Sequence, residues 1–290
     1  MESTRLAWLC WLFPHPLALN NAIVLFVHKL GLVLLQKMLQ GPHAAGPDRP
    51  LLLRISFRSC VVGTLCLPLL GLLSCVFISS MYHFEDATGT HCHVDNYLPS
   101  ISASISLSPE CHIWRACIGL HWAPRVLVEY SYLKLYRCRF GARSVERSLS
   151  VVSLLFSVCE NMGLLLLTSV SSTEAYAVHK TGFLLFIGSS LVYMLITCRL
   201  WSAITQQSFS PEDARSHRWK KRLLFACSFF CGFAGFFYWK HNMSCQSGAY
   251  TMFALFEYLL VFSNMAFHLT AVWDFRGRDI VVVSLEDKHF

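Results

Sequence analysis

The chain has 290 residues, of which 54% are hydrophobic, 14% aromatic and only 14% charged, where a soluble domain usually carries about 25% charged residues. Its apolar residues run in blocks of about 20, the length a helix needs to cross hydrocarbon, so composition excludes a soluble globular protein. The net charge of +7 lies mostly in short loops between those blocks, the pattern that sets membrane orientation, and it is not the footprint of a nucleic-acid binder.

The first 50 residues form a variable amino-terminal segment. Residues 6–13 are apolar but short, and Pro14-His15-Pro16 breaks them. Residues 17–39 are longer, but His28, Lys29, Gln36 and Lys37 interrupt them. That stretch reads either as an amphipathic segment at the cytosolic face or as an extra span, and no small-residue cleavage site argues for a removed signal peptide. Residues 41–50 (GPHAAGPDRP) read as a linker.

From residue 51 to 275 the pattern predicts an all-α, polytopic membrane protein: a bundle of six transmembrane helices with both termini cytosolic. The spans fall at about 59–82, 113–135, 149–170, 181–203, 223–239 and 250–273, and residues 276–290 form a cytosolic tail. The second span is weak on hydropathy alone, because Arg115, His121, Arg125, Glu129 and Lys134 lie in it. The loops demand it. Arg49, Arg54 and Arg58 precede span one, and the next Lys or Arg is Arg115. Arg137, Arg139, Arg143 and Arg147 follow span two, and five basic residues from Arg215 to Arg222 follow span four. The opposite loops hold only Lys180 and Lys240. Cytosolic loops attract the basic residues, so loops 83–112, 171–180 and 240–249 face the lumen.

The lumenal face carries Cys92, Cys111 and Cys245, in a compartment where a disulfide persists. Asn242-Met243-Ser244 is a glycosylation sequon set close to a membrane boundary. His91-Cys92-His93 with Asp95 matches no metal-binding spacing and reads as a polar loop, so no metal and no cofactor is expected.

Charged groups inside a bilayer are costly and face a bundle interior or a watery cavity. His121, Arg125 and Glu129 follow at spacings of four and share one helical face. Glu257, Asn264 and His268 recur at seven and four, and Glu160 and Asn161 are adjacent in span three. With a rise of about 1.5 Å per residue, His121 and Glu257 lie roughly 12 Å below the lumenal boundary and Glu160 roughly 15 Å, while His268 falls near the cytosolic end. Such groups serve as interhelical glue, or they line a polar cavity. An imidazole beside a carboxylate there suits a general base, and the same set suits binding of a lipid headgroup without chemistry. No Ser or Cys nucleophile motif is evident, which favours direct transfer over an acyl-enzyme. No inverted repeat or Gly/Pro-broken helix pair of the transporter kind is present.

The stretches HFEDATGTHCHVDNYLPSISASI (83–105), WRACIGLHWAPR (114–125), ENMGLLLLTSVSSTE (160–174), HNMSC (241–245) and EYLLVFSNMAFHLTAVWDF (257–275) resemble the post-GPI-attachment-to-proteins factor two family. That family belongs to a wider group with the damage-regulated autophagy modulators. The resemblance covers about residues 51 to 290 and leaves out the first 50. It implies a multi-pass Golgi membrane protein, found also in the endoplasmic reticulum, in lipid remodelling of GPI anchors: reacylation of the sn-2 position of lyso-GPI with a saturated, typically stearoyl, chain. The chain would be the O-acyltransferase itself, or a non-catalytic lyso-GPI-binding scaffold for a separate acyltransferase. The implied partners are GPI-anchored proteins, the lyso-GPI lipid and an acyl donor, either a phospholipid or acyl-CoA.

The positions carried over make His121, Glu160 and Glu257 the expected catalytic group, with His121 taking the proton of the acceptor hydroxyl and a carboxylate orienting it. Arg115, Arg125, Asn161, Asn264 and His268 are the expected substrate-binding group, the arginines for phosphate. The same resemblance implies a Cys92–Cys245 disulfide and includes Asp274 in its pattern. Cys111 and Glu129 fall outside that pattern and read as incidental or structural.

Overall fold

The structure, a computed structural model, describes residues 51–208 and 210–283. The segment at residues 17–39 lies outside the described residues, as does the end of the tail. In chain order the elements are β1 (Leu51–Ser56), α1 (Phe57–Tyr82), α2 (Phe84–Thr88), α3 (Ile101–Ser104), α4 (Glu110–Phe140), α5 (Ser144–Ser169), α6 (Tyr176–Thr205), α7 (Pro211–Ser244), α8 (Ala249–Leu269), α9 (Ala271–Asp274) and β2 (Asp279–Val283).

Helices α1, α5, α6, α7 and the run from α8 through α9 are long and apolar enough to cross a membrane. Helix α4 has 31 residues, a length of about 46 Å, and lacks only the composition. Its charges are turned inward: His121, Arg125 and Glu129 are all buried. Large apolar side chains project outward instead, among them Leu70, Phe77, Leu184, Phe225 and Trp239. A bundle that is polar within and greasy without suits a lipid solvent.

The chain ends of this unit are joined by a feature the all-α expectation did not contain. Strands β1 and β2 pair antiparallel, with Arg54 opposite Val281 and Ser56 opposite Asp279. The β-branched run of DIVVV explains the preference for a strand there. The Arg54 Nε donates to Asp279 Oδ2 at 2.6 Å, and Phe57 stacks on Phe275 with centroids 4.1 Å apart. Because β1 runs straight into α1 and β2 follows α9, both meet at one side of the bundle.

Successive long helices pack side by side: α1 on α4, α4 on α5, α5 on α6, α6 on α7 and α7 on α8, with α8 and α9 returning more lightly against α1. The α5–α6 contact is close enough to need glycine. A Cβ on Gly163 would sit 2.4 Å from the Phe186 backbone nitrogen, and one on Gly182 would sit 2.7 Å from the Leu167 backbone nitrogen. Small residues let helix backbones approach where lipid supplies no hydrophobic drive between helices.

At the strand end, the basic stretch expected to be a loop is helical. Pro211 occupies the first turn of α7 with Glu212 and Asp213 beside it, which favours a helix start. The extension carries Lys220 inward, to 1% exposure. Its Nζ donates to Asp274 Oδ2 at 2.6 Å, Ser216 Oγ at 2.8 Å and Thr270 Oγ1 at 2.5 Å. Tyr132 and Ser216 also donate to the Asp274 carboxylate. The ammonium lies over the Trp201 ring, 4.8 Å from its centroid. This buried cluster ties α4, α6, α7, α8 and α9 together.

At the opposite end, Cys92 and Cys245 form the expected disulfide, closing a sequence separation of 153. It links the loop after α2 to the end of α7. Cys111 is buried and unpaired. Asn242 lies within α7, and its amide donates to the Tyr238 carbonyl, so the sequon is helical.

Two consequences for stability follow from these contacts. Gly163→Ala lowers the thermal midpoint in detergent by an amount at the upper end of the about 1–3 kcal/mol typical of overpacking, while Gly235→Ala, whose Cβ meets nothing within 4 Å, does not. Asp274→Ala strands a buried ammonium and costs about 3–5 kcal/mol; the double substitution Lys220→Met with Asp274→Leu recovers most of that loss in the same melting experiment.

Candidate functional site

Polar groups from α3, α4, α5 and α8 meet around one internal cavity, whose apolar walls come largely from α1, α5 and α6. Its floor is an ion network. Arg125 is 4% exposed, and its Nη2 lies 3.3 Å from Glu129 Oε1 and 3.4 Å from Glu160 Oε2. The same nitrogen is 2.7 Å from His268 Nε2, which also lies 3.0 Å from Glu160 Oε1. That imidazole nitrogen satisfies one of the two at a time: neutral, it accepts from Arg125; protonated, it donates to Glu160. Asn264 donates to Glu160 Oε1 at 3.0 Å and to Ser190 Oγ at 2.6 Å. The floor thus joins α4, α5, α6 and α8.

Above the floor stands His121. Its Nδ1 lies 2.7 Å from the Thr64 carbonyl oxygen. A carbonyl only accepts, so Nδ1 carries the hydrogen and Nε2 is left as the lone-pair nitrogen. Asn161 also lines the cavity, and its Nδ2 has no hydrogen-bond partner among the described residues. Glu257 forms part of the opposite wall and accepts from the Ile101 backbone N–H at 2.9 Å, so it anchors the first turn of α3. The cavity measures about 70 Å³, room for no more than a few water molecules. A lipid glycerol and its chains therefore need the helices to part.

This geometry revises several expected roles. Glu160 and Glu257 were expected at one level with His121; instead Glu160 belongs to the floor with His268, and the residue orienting His121 is a backbone carbonyl of α1. Counting rise along each span treats the helices as untilted rods cut by a common plane, which separates Glu160 and His268 although they lie in hydrogen-bond contact. Arg125 is committed to carboxylates within the protein, which removes it as a free phosphate ligand. Arg115 is absent from the cavity lining: its Nη2 donates to Glu174 at 2.8 Å and its Nε to the Thr168 carbonyl at 3.2 Å. The Ser171 backbone N–H and then Arg115 hold the Glu174 carboxyl below the usual carboxylate range, so Arg115 faces a charged partner already. Asn161, Asn264 and His268 do line the cavity.

Glu129, read in the sequence as incidental or structural, is 2% exposed and pairs with Arg125, a structural role. The signal was there in its spacing of four from Arg125, since i,i+4 ion pairs share a helix face. Ser190, Lys220 and the Thr64 carbonyl carried no sequence signal that separates them from ordinary helix residues. At the disulfide end, the ligand atoms of His91, Cys92 and His241 lie within 4.8 Å of one another, but Cys92 is committed to its disulfide.

Residues 56–278 match the family described as the Frag1/DRAM/Sfk1/Cwh43P N-terminal domain. The chain is 54% identical over 201 residues to a Danio rerio protein named Acyltransferase PGAP2, covering 69% of this chain and 87% of that one. It is 45% identical over 247 residues to the Xenopus tropicalis protein of the same name, covering 84% and 98%. It is 39% identical over 241 residues to Post-GPI attachment to proteins factor 2 of Caenorhabditis elegans, covering 80% and 90%. No solved structure matches the chain. With a family match across nearly the whole described region and curated relatives aligned over most of their own length, this membrane protein belongs to the Frag1/DRAM/Sfk1/Cwh43P family, in its branch of post-GPI-attachment-to-proteins factor 2 proteins.

Proposed function

We propose that the chain is a lipid O-acyltransferase of the Golgi that attaches a saturated chain to the sn-2 hydroxyl of lyso-GPI on GPI-anchored proteins. The observation that carries this reading is His121: the Thr64 carbonyl fixes its Nδ1–H, and the lone-pair Nε2 remains in a buried, mainly apolar cavity that Asn161, with its unpartnered amide, also lines. A base held in one tautomer, in a cavity that a free donor also lines, is the minimum a hydroxyl needs in order to attack an ester. The names of the relatives from Danio rerio and Xenopus tropicalis include the word acyltransferase, which supports the reaction class.

In this mechanism Nε2 of His121 accepts the proton as the sn-2 oxygen attacks the donor carbonyl. Asn161 donates to an oxygen of the bound lipid. Glu257 acts through α3, holding the lumenal cover of the cavity, and the Arg125–Glu160–His268 network keeps the floor rigid. Arg115, on the lumenal rim, meets a phosphate only by exchanging Glu174 for it. Lipid reaches the cavity sideways, between helices.

A second reading keeps the binding and drops the chemistry. It draws on the same network, because every charge on the cavity floor is paired within the protein and none is left for a transition state. The two readings separate in liposomes containing the purified protein, lyso-GPI and either labelled phospholipid or labelled acyl-CoA. The wild type transfers label to the lyso-GPI acceptor, and folded His121→Ala loses about 10²–10⁴-fold of that rate, the span of general-base contributions. Acceptor binding with no transfer from either donor identifies the protein as a scaffold and removes the enzyme.

A further inference from the structure

How the acyl group leaves its donor turns on a second histidine. Ser102, on α3, lines the same cavity as His121. Its Oγ lies 3.0 Å from Nε2 of His179, in the first turn of α6. Nδ1 of that imidazole lies 2.9 Å from the carbonyl oxygens of both Leu167 and Val170 at the end of α5. Both carbonyls only accept, so Nδ1 carries the hydrogen and Nε2 is the acceptor for the Ser102 hydroxyl. His179 is 4% exposed, and packing together with two carbonyls fixes its ring. Ser102 itself is only partly buried. Nucleophile, base and orienting group stand in the order that activates a serine, with backbone carbonyls in the place a carboxylate often takes.

The depth of the pair is informative. His179 is three residues into α6, which begins at Tyr176, about 5 Å along the axis. His121 is eleven residues into α4, which begins at Glu110, about 16 Å along. His179 therefore lies near the start of its own helix and His121 well inside α4, and the cavity that His121 lines is also lined by Ser102, the hydroxyl partner of His179.

We propose that Ser102 is the nucleophile that takes the acyl group from a phospholipid ester, with His179 as its base; this rests on the acyltransferase reading above and supplies its first half. His179 accepts the Ser102 proton as Oγ attacks the donor carbonyl. The donor's ester C–O bond breaks, and the departing lysophospholipid oxygen takes that proton, leaving an ester on Ser102. In the second half the lyso-GPI sn-2 hydroxyl attacks this ester. Its proton passes to His121 and then, through water in the cavity, to the departing Ser102 Oγ. One ester bond is exchanged for another with no net proton and no oxidant. A phospholipid donor on the same side as the pair also removes any need for acyl-CoA to reach the site from the cytosol.

The test uses the full-length protein in phosphatidylcholine liposomes whose acyl chains are labelled. Without lyso-GPI, peptide mass spectrometry finds the acyl mass on the Ser102 peptide; once lyso-GPI is added the wild type loses it and His121→Ala retains it. A fluorophosphonate probe labels the wild type. Ser102→Ala loses the adduct and the label, His179→Gln loses at least 100-fold of the labelling rate, and Ser102→Cys restores an adduct that hydroxylamine releases. If folded Ser102→Ala transfers acyl chains to lyso-GPI at the wild-type rate while His121→Ala does not, transfer is direct and the nucleophile assignment is overturned. If the Ser102 adduct forms but no lyso-GPI is acylated, the nucleophile stands and the assigned acceptor falls.

Discussion

A buried guanidinium organises this protein. Arg125 sits in the interior of a bundle surrounded by lipid, where an unpaired charge costs several kcal/mol even after relaxation. Among the described residues its compensation comes from other helices and from its own next turn: Glu129 on α4, Glu160 on α5 and the His268 imidazole on α8. Each partner is in turn held, Glu160 by Asn264 and Asn264 by Ser190 of α6. Four helices thus acquire a fixed register from one charge. The same requirement explains why α4 has a poor membrane-spanning composition and yet lies inside the bundle, since its polar face is turned toward partners rather than lipid.

The polar interior divides by whether its groups are satisfied. Those joined to one another, on the cavity floor and around Lys220 at the strand end, hold shape and offer nothing to a ligand. Those left with unused capacity, His121 Nε2 and the Asn161 amide, face the cavity. An unpaired buried polar group is expensive, and a mainly apolar cavity that retains two of them in its lining suits a molecule with a polar head and an apolar body. Filled with water the cavity is satisfied, and a lipid hydroxyl replaces that water with little change in hydrogen bonding.

Much of the architecture was legible in the sequence because a bilayer permits so few solutions. Long uncharged runs gave five of the long helices, and loop charge pointed to a further crossing in the polar stretch, where the structure has the long helix α4. The disulfide between Cys92 and Cys245 followed from a resemblance and is present. The site was legible only as a set of residues. His121, Asn161, Asn264, Glu257 and His268 do gather at one cavity, but their pairing was not recoverable, because helix tilt and side-chain reach decide whether Glu160 meets His121 or His268. Backbone partners were invisible altogether: no pattern of side chains announces that the Thr64 carbonyl holds His121 or that the Leu167 carbonyl holds His179. The inward turn of Lys220 was hidden for the opposite reason, since a lysine in a basic stretch normally marks a cytosolic loop.

The seam where α8 and α9 return against α1 is packed more lightly than the contacts between successive long helices, and covalent and hydrogen-bonded stitches lie at its two ends. The β1–β2 pairing joins the start of α1 to the segment after α9. The Cys92–Cys245 bond joins the loop beyond α1 and α2 to the end of α7, the neighbour of α8. A slit sewn at top and bottom can bow open at its middle without its ends separating. Leu65, Pro68 and Leu72 on one lip and Val261 and Met265 on the other all line the cavity, so the middle of this slit is the place where a hydrocarbon tail could slide out into the bilayer while its glycerol stayed within.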